Sequence, residues 1–151
     1  MTRRVPVRAV VDTNVIFSGI ISARGAPSEI VDLWSAGQIC LVMTEEILAE
    51  YRQVFGRPSF AVRYAFTQPR VDAILSQLRD EKILPFDPSV EIALDCRDPK
   101  DKKFLTAAVA GAVPFLVSGD DDLLVCDGNP GLGSVQIVRP REFLRRIDAA
   151  F

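Results

Sequence analysis

The stretch VRAVVDTNVIFSG ends an apolar run on a carboxylate. Four of the five residues before Asp12 are Val or Ala, and Val15, Ile16 and Phe17 follow it closely. Desolvating a charge there is expensive, so Asp12 calls for a compensating partner. A second acid, Asp120, falls two residues after the apolar run 115–118 in FLVSGDDDLL. If the two runs are neighbouring strands of a parallel sheet, both carboxylates reach its carboxyl edge, where open α/β sheets bind ligands. A third lies in DPKDKKFLTAAVAG. There Asp98 reads as an N-cap with Pro99 at the first helical position, an ordinary capping role. Asp101, three and four residues before Phe104 and Leu105, shares their inward face. The helix TEEILAEYRQVF supplies the fourth, with Ile47, Leu48, Tyr51, Val54 and Phe55 forming its apolar stripe. Glu50 lies roughly 100° from the centre of that stripe, Glu45 about 120° and Glu46 about 140°. Glu50 is therefore the glutamate nearest the buried boundary.

Converging carboxylates repel, and without compensation some must stay protonated. A hard divalent cation, Mg²⁺ or Mn²⁺, takes such oxygen ligands, as one ion or two. These ions activate water and steady charge developing on phosphate, a route that needs no imidazole. The chain contains no histidine. Ser-His-Asp triads, imidazole acid–base pairs and His-liganded metals are thereby excluded.

The elements that must position these acids follow from periodicity. Val7–Val11 is a β-rich run, 38–42 a second, PFLVS a third and SVQIV the last. Between them lie helical stretches: APSEIVDLWSAG with Ser28 as N-cap and Gly37 as a stop, and a helix from the Thr44 cap to about Phe55. Others begin at Pro69, at Pro99 (ending near Gly111) and at Pro140, the last running over 140–149. Strands separated by helices predict an α/β three-layer sandwich, a mainly parallel, Rossmann-like sheet flanked by helices. At 151 residues a single domain over 1–151 is expected.

Composition narrows the setting. No run of about 18 apolar residues could span a bilayer. The early arginines Arg3, Arg4 and Arg8 are not followed by the apolar core of a signal peptide, so a cytoplasmic protein is expected. Cys40, Cys96 and Cys126 are odd in number and form no CxxC, which reads as reduced structural thiols. In the segment 56–68, GRPSFAVRYAFTQ, arginines alternate with Phe60, Tyr64 and Phe66. Arg57, Arg63 and Arg70 could meet RNA phosphates while Phe60 or Tyr64 stacks on bases. Alternatively the aromatics pack on the core or on a dimer partner. Arg139, Arg141, Arg145 and Arg146 read as a solvated helix face.

VVDTNVIFSG, MTEEILAEY, DPKDKKFLTAAV and LVSGDDDLL, in this order and spacing, resemble the PIN-domain nucleases over residues 7–143, nearly the whole chain. The likeness is to the prokaryotic branch of toxins from toxin–antitoxin pairs. The resemblance implies that Asp12, Glu50, Asp101 and Asp120 are the catalytic, metal-binding acids. Thr13 and Asn14 would be the hydrogen-bonding neighbours of Asp12, Ser118 the hydroxyl preceding Asp120, and Asp98 and Asp122 auxiliary acids. It further implies a Mg²⁺- or Mn²⁺-dependent ribonuclease, a hydrolase of RNA phosphodiesters using metal-activated water. A homodimer and a cognate antitoxin protein whose tail covers the site are implied as well.

Two other readings compete. One is a phosphoryl-transfer or phosphatase domain with Asp12 as nucleophile. A dehalogenase-like phosphatase would want Asp at position 14, where this chain has Asn14, and the adjacent acids of a receiver domain are missing. The other is a degenerate domain that binds RNA or protein without cleaving; the four intact acids argue against it.

Overall fold

The computed structural model describes residues 5–64, 67–80, 83–84, 94 and 96–150. Arg3, Arg4, Phe66 and most of 82–97 lie outside the described residues.

Strand β1 (Val7–Val11) is built from residues that suit a fully covered strand, and Ala9, Val10 and Val11 are completely buried. Successive side chains of a strand point to opposite faces, so this burial means that both faces of the sheet are covered. On one side β1 pairs with β2 (Ile39–Leu41), in the register Val7↔Ile39 and Ala9↔Leu41. On the other it pairs with β5 (Phe115–Val117), Ala9 facing Phe115 and Val11 facing Val117. β6 (Gln136–Val138) extends the sheet, giving the order β2-β1-β5-β6 with every pairing parallel. A small second sheet joins β3 (Met43–Thr44) to β4 (Ile83–Leu84), also parallel.

Helices α1 (Thr13–Ile21) and α2 (Ala26–Ser35) pack against each other, and α2 against α8 (Pro140–Ala150), which lies on β5. Helix α6 (Lys102–Ala110) packs on β1 and β5 with α3 (Glu45–Phe55) beside it, and α5 (Gln68–Asp80) packs on α3. Among the described residues, the short α4 (Pro58–Arg63) and α7 (Asp121–Leu124) are the remaining α-helices. This is the α/β three-layer arrangement that the alternation of strands and helices predicts. Trp34, Tyr51, Phe104 and Phe143 are the largest fully buried side chains among the described residues, each contributing about 1.5–3 kcal/mol through burial.

The α1–α2 contact depends on a glycine. A Cβ at Gly19 would sit 2.4 Å from the Pro27 carbonyl oxygen and 2.6 Å from Val31 Cγ2, far inside van der Waals contact. Ser28 is not the cap of α2. The helix begins at Ala26 after Gly25, whose φ of 104° suits glycine, and Ser28 lies buried in the first turn. The periodicity also leaves out α1, α4 and the β3–β4 pair.

The segment after α3 resolves in favour of packing. Phe60 is buried, with its ring 5.6 Å from Phe17, 5.8 Å from Phe55 and 5.0 Å from Tyr64. Phe60 therefore closes the core beneath α4 and does not present a face for base stacking. Among the described residues no helix is long and apolar enough to cross a membrane.

Candidate functional site

Parallel pairing of β1 with β5 brings Asp12 beside Ser118, because the Asp12 N–H continues the ladder to the Val117 carbonyl at 2.9 Å. Both side chains are buried, Ser118 completely. The Ser118 hydroxyl donates to Asp12 Oδ2 at 2.8 Å and accepts the Asp120 N–H at 3.0 Å. One hydroxyl thus fixes two acids that follow different strands. Asp12 Oδ1 accepts the Asn14 N–H at 3.4 Å and so caps α1, while Asp120 Oδ1 accepts the Asp122 N–H at 2.9 Å and caps α7. Each cap leaves the remaining lone pairs of its carboxylate for another partner.

Helix α3 closes one flank. Thr44 caps it by accepting the Ile47 N–H, and the buried Tyr51 donates its hydroxyl to the Val11 carbonyl, pinning α3 to the end of β1. The neighbouring Glu50 is half-buried, whereas Glu45 and Glu46 are exposed, as the wheel predicts. Glu50 Oε2 accepts from the Thr13 hydroxyl, and Oε1 lies 3.0 Å from the Lys103 ammonium. Burial, and then the negative charges of Asp12 and Glu50, push the Tyr51 phenol well above its ordinary range, so it stays a neutral donor.

The first turn of the third-motif helix is a 3₁₀ turn, Pro99–Asp101, capped by Asp98 accepting the Lys100 N–H at 3.0 Å. This turn aims Asp101 inward. Its carboxyl is buried, with Oδ2 left without any hydrogen-bond partner. Burial, then the hydrogen bond shared with Asp120, then repulsion from Asp120, Asp12 and Asp98 push Asp101 up to about 7. A hydrogen bond between two carboxyls requires a proton on one of them. Asp12 is likewise raised, chiefly by burial and then by repulsion from Asp120 and Glu50, against the hydrogen bonds from Ser118 and Asn14.

The tightest grouping of acidic oxygens among the described residues is Asp98, Asp101 and Asp122, all within 4.8 Å of one another. Asp101 is therefore common to two sets: it groups with Asp98 and Asp122, and it is repelled by Asp12 and Asp120. Arg97 Nε lies 3.1 Å from Asp122 Oδ1. The donor set is all oxygen, and a buried unpartnered oxygen sits among like charges. Both features fit a hard divalent cation such as Mg²⁺ or Mn²⁺. A cleft of about 250 Å³, lined by Asn14, Ser18, Gly119 and Asp120 among others, opens beside the acids.

The arginines divide. Arg57 and Arg63 are exposed. Arg70 lies 3.0 Å from Asp32 Oδ1 and donates to the Ser28 carbonyl at 3.4 Å, stapling α5 to α2. Arg145 and Arg146 pair with Glu142 along α8, holding its carboxyl down at about 2, and Arg139 pairs with Asp121 at 2.7 Å. These contacts agree with a solvated, self-neutralised helix face. Lys103 and Tyr51 are the site residues that sequence reasoning missed. Neither has a local signature, because both act across the α3–α6 and α3–β1 contacts.

The sequence model of the PIN domain family matches residues 8–122. Among known proteins, the chain is 26% identical over 150 residues to the uncharacterized protein MJ1680 of Methanocaldococcus jannaschii, covering 96% of this chain and 94% of that one. Its fold is similar to the crystal structure of PAE2754 from Pyrobaculum aerophilum, with a TM-score of 0.56 and 16% identity over 95% of this chain and 98% of that one.

Proposed function

This chain belongs to the PIN domain family, a nuclease fold, and on that premise we propose that it is a divalent-metal-dependent endoribonuclease. The carrying observation is Asp101: a buried carboxyl with an unpartnered oxygen, wedged against Asp120, Asp12 and Asp98. Such a cluster lacks its counter-charge, and a cation supplies it.

Asp12, Asp101 and Asp120 would hold a first ion, with Glu50 at its flank. Asp98 and Asp122, which group with Asp101 within 4.8 Å, would hold a second. When bound, Mg²⁺ or Mn²⁺ supplies Lewis acidity that makes water a nucleophile near neutral pH and offsets charge developing on the phosphate. The chain's own residues do the positioning. The Ser118 hydroxyl and the Asn14 N–H fix both oxygens of Asp12, so its orientation is set before substrate arrives. Thr13 fixes Glu50. The cleft bordered by Asn14, Ser18 and Gly119 offers room for the nucleotide flanking the scissile bond. Exposed Arg57 and Arg63 are available for more distant phosphates.

Cleavage of a labelled single-stranded RNA in Mn²⁺ tests the proposal, with an Asp12→Asn variant, an EDTA control and the matching DNA strand beside it. RNA cleavage that needs the ion and falls by 10²-fold or more in the variant, with DNA left intact, is the expected result. An Asp12→Asn protein as active as the parent would overturn it. The motif resemblance supports a cellular role as the toxin of a toxin–antitoxin pair. On that reading the protein is a cytoplasmic homodimer silenced by a cognate antitoxin. Growth arrest on expression, relieved by the product of the adjoining reading frame, is the corresponding test.

A further inference from the structure

We propose that Lys103 is a substrate-phosphate contact of this site and that Glu50 is its positioning residue, aiming the ammonium in addition to flanking the metal; the inference rests on the nuclease reading above. Lysines are almost never buried unless paired, since desolvating an ammonium costs several kcal/mol. The Lys103 side chain is nonetheless only 10% exposed, while its neighbours Lys100 and Lys102 are exposed. Nothing in an amphipathic helix demands this, because a lysine at its boundary can extend its head into water. Instead the ammonium turns inward. It lies 3.0 Å from Glu50 Oε1, donates to the Lys100 carbonyl and sits 5.0 Å from the centre of the Phe104 ring. Two of its three donors are thus assigned, and the third is available to a substrate oxygen.

Glu50 is held from both sides, Oε2 by the Thr13 hydroxyl and Oε1 by Lys103. Thr13 directly follows Asp12, so the pair abuts the acid cluster, and the charge of Glu50 is felt at Asp12. The chain Thr13–Glu50–Lys103 therefore fixes a cation at the rim of an anionic site. The charge balance explains the need. Asp12, Asp101 and Asp120 bear three negative charges when ionised against two on one divalent ion, and an arriving phosphodiester adds another. Arg97 is paired with Asp122. Lys103 is likewise balanced by Glu50, so what it offers an incoming phosphate is its remaining N–H donor held at close range, not surplus charge.

Two affinities of Lys103→Met and Lys103→Arg, measured without any turnover, test the inference. One is for Mn²⁺ alone, by calorimetry. The other is for a non-cleavable 2′-O-methyl RNA oligonucleotide in Ca²⁺. Removing a positive charge beside the acids makes Mn²⁺ bind about 3- to 10-fold tighter, while the oligonucleotide binds about 10-fold more weakly. Lys103→Arg restores most of the oligonucleotide affinity. Misfolding weakens both and cannot produce opposite signs. Affinities that fall together in Lys103→Met, or that both stay at the parent values, overturn the assignment. A parent that binds neither Mn²⁺ nor the oligonucleotide overturns the nuclease reading and this one with it.

Discussion

Replacing Asp101 with Asn stabilises the metal-free protein at neutral pH. In the folded chain the Asp101 carboxyl titrates near 7, against 3.8 for the free group, through burial and the neighbouring Asp120, Asp12 and Asp98. The folded state therefore holds a proton that the unfolded state has released between those two values. Stability is lost as pH rises through that window, because the unfolded state binds fewer protons there. A rise from 3.8 to about 7 corresponds to roughly 4 kcal/mol, and relaxation with water entry leaves about 2 kcal/mol as the expected size. Asn keeps the shape, carries no charge, and its amide can donate to the facing carboxylates. Urea unfolding in EDTA reads the effect directly. At pH 8 the variant is more stable than the parent by about 2 kcal/mol, and only near pH 3.5, below the free-group value, do the two agree within about 0.5 kcal/mol. Saturating Mn²⁺ reverses the order at pH 8, since a ligand stabilises only the state that binds it. A variant less stable than the parent in EDTA at pH 8 would refute the view that Asp101 sits in an uncompensated acidic cluster.

Four further variants probe the supports. Ser118→Ala strips Asp12 Oδ2 and the Asp120 N–H of their shared partner; it costs about 1–3 kcal/mol in unfolding free energy and lowers RNA cleavage without abolishing the fold. Gly19→Ala drives a methyl into the Pro27 carbonyl and costs about 1–3 kcal/mol of stability, seen as a lower urea midpoint. Arg57→Ala with Arg63→Ala weakens RNA binding and flattens its salt dependence, measured by fluorescence titration at several salt concentrations. Arg70→Ala, by contrast, lowers stability and leaves that salt slope unchanged, because Arg70 is spent on Asp32 and Ser28.

Where periodicity and chemistry coincide, the sequence is enough to place an element. The valines of β1, the Thr44 cap and the Asp98–Pro99 start each carry a local signal that packing does not override. Asp101 points inward because its helix buries Phe104 and Leu105, and that face is readable from spacing alone. Helix α1 escapes the reading because Val15, Ile16 and Phe17 look strand-like, although Asp12 caps the helix and Ile16, Gly19 and Ile20 share its buried face. Helix α4 is six residues held by aromatic contacts, and β3 and β4 are two residues each, too short for any period to show. Ser28 has the right side chain for a cap, but Pro27 at the second helical position moves the start forward to Ala26. Lys103 is invisible for another reason. Its partner Glu50 lies on a different helix, so the pair exists only once α3 packs against α6.

Crystals of the protein soaked in Mn²⁺ and recorded at the manganese absorption edge test the metal assignment without any assay of activity. The expected map has an anomalous peak bounded by the carboxylates of Asp12, Asp101 and Asp120, with any second peak bounded by Asp98, Asp101 and Asp122. The first peak vanishes in Asp12→Asn. A map without a peak at Asp101, or a peak there that survives Asp12→Asn undiminished, would contradict the assignment.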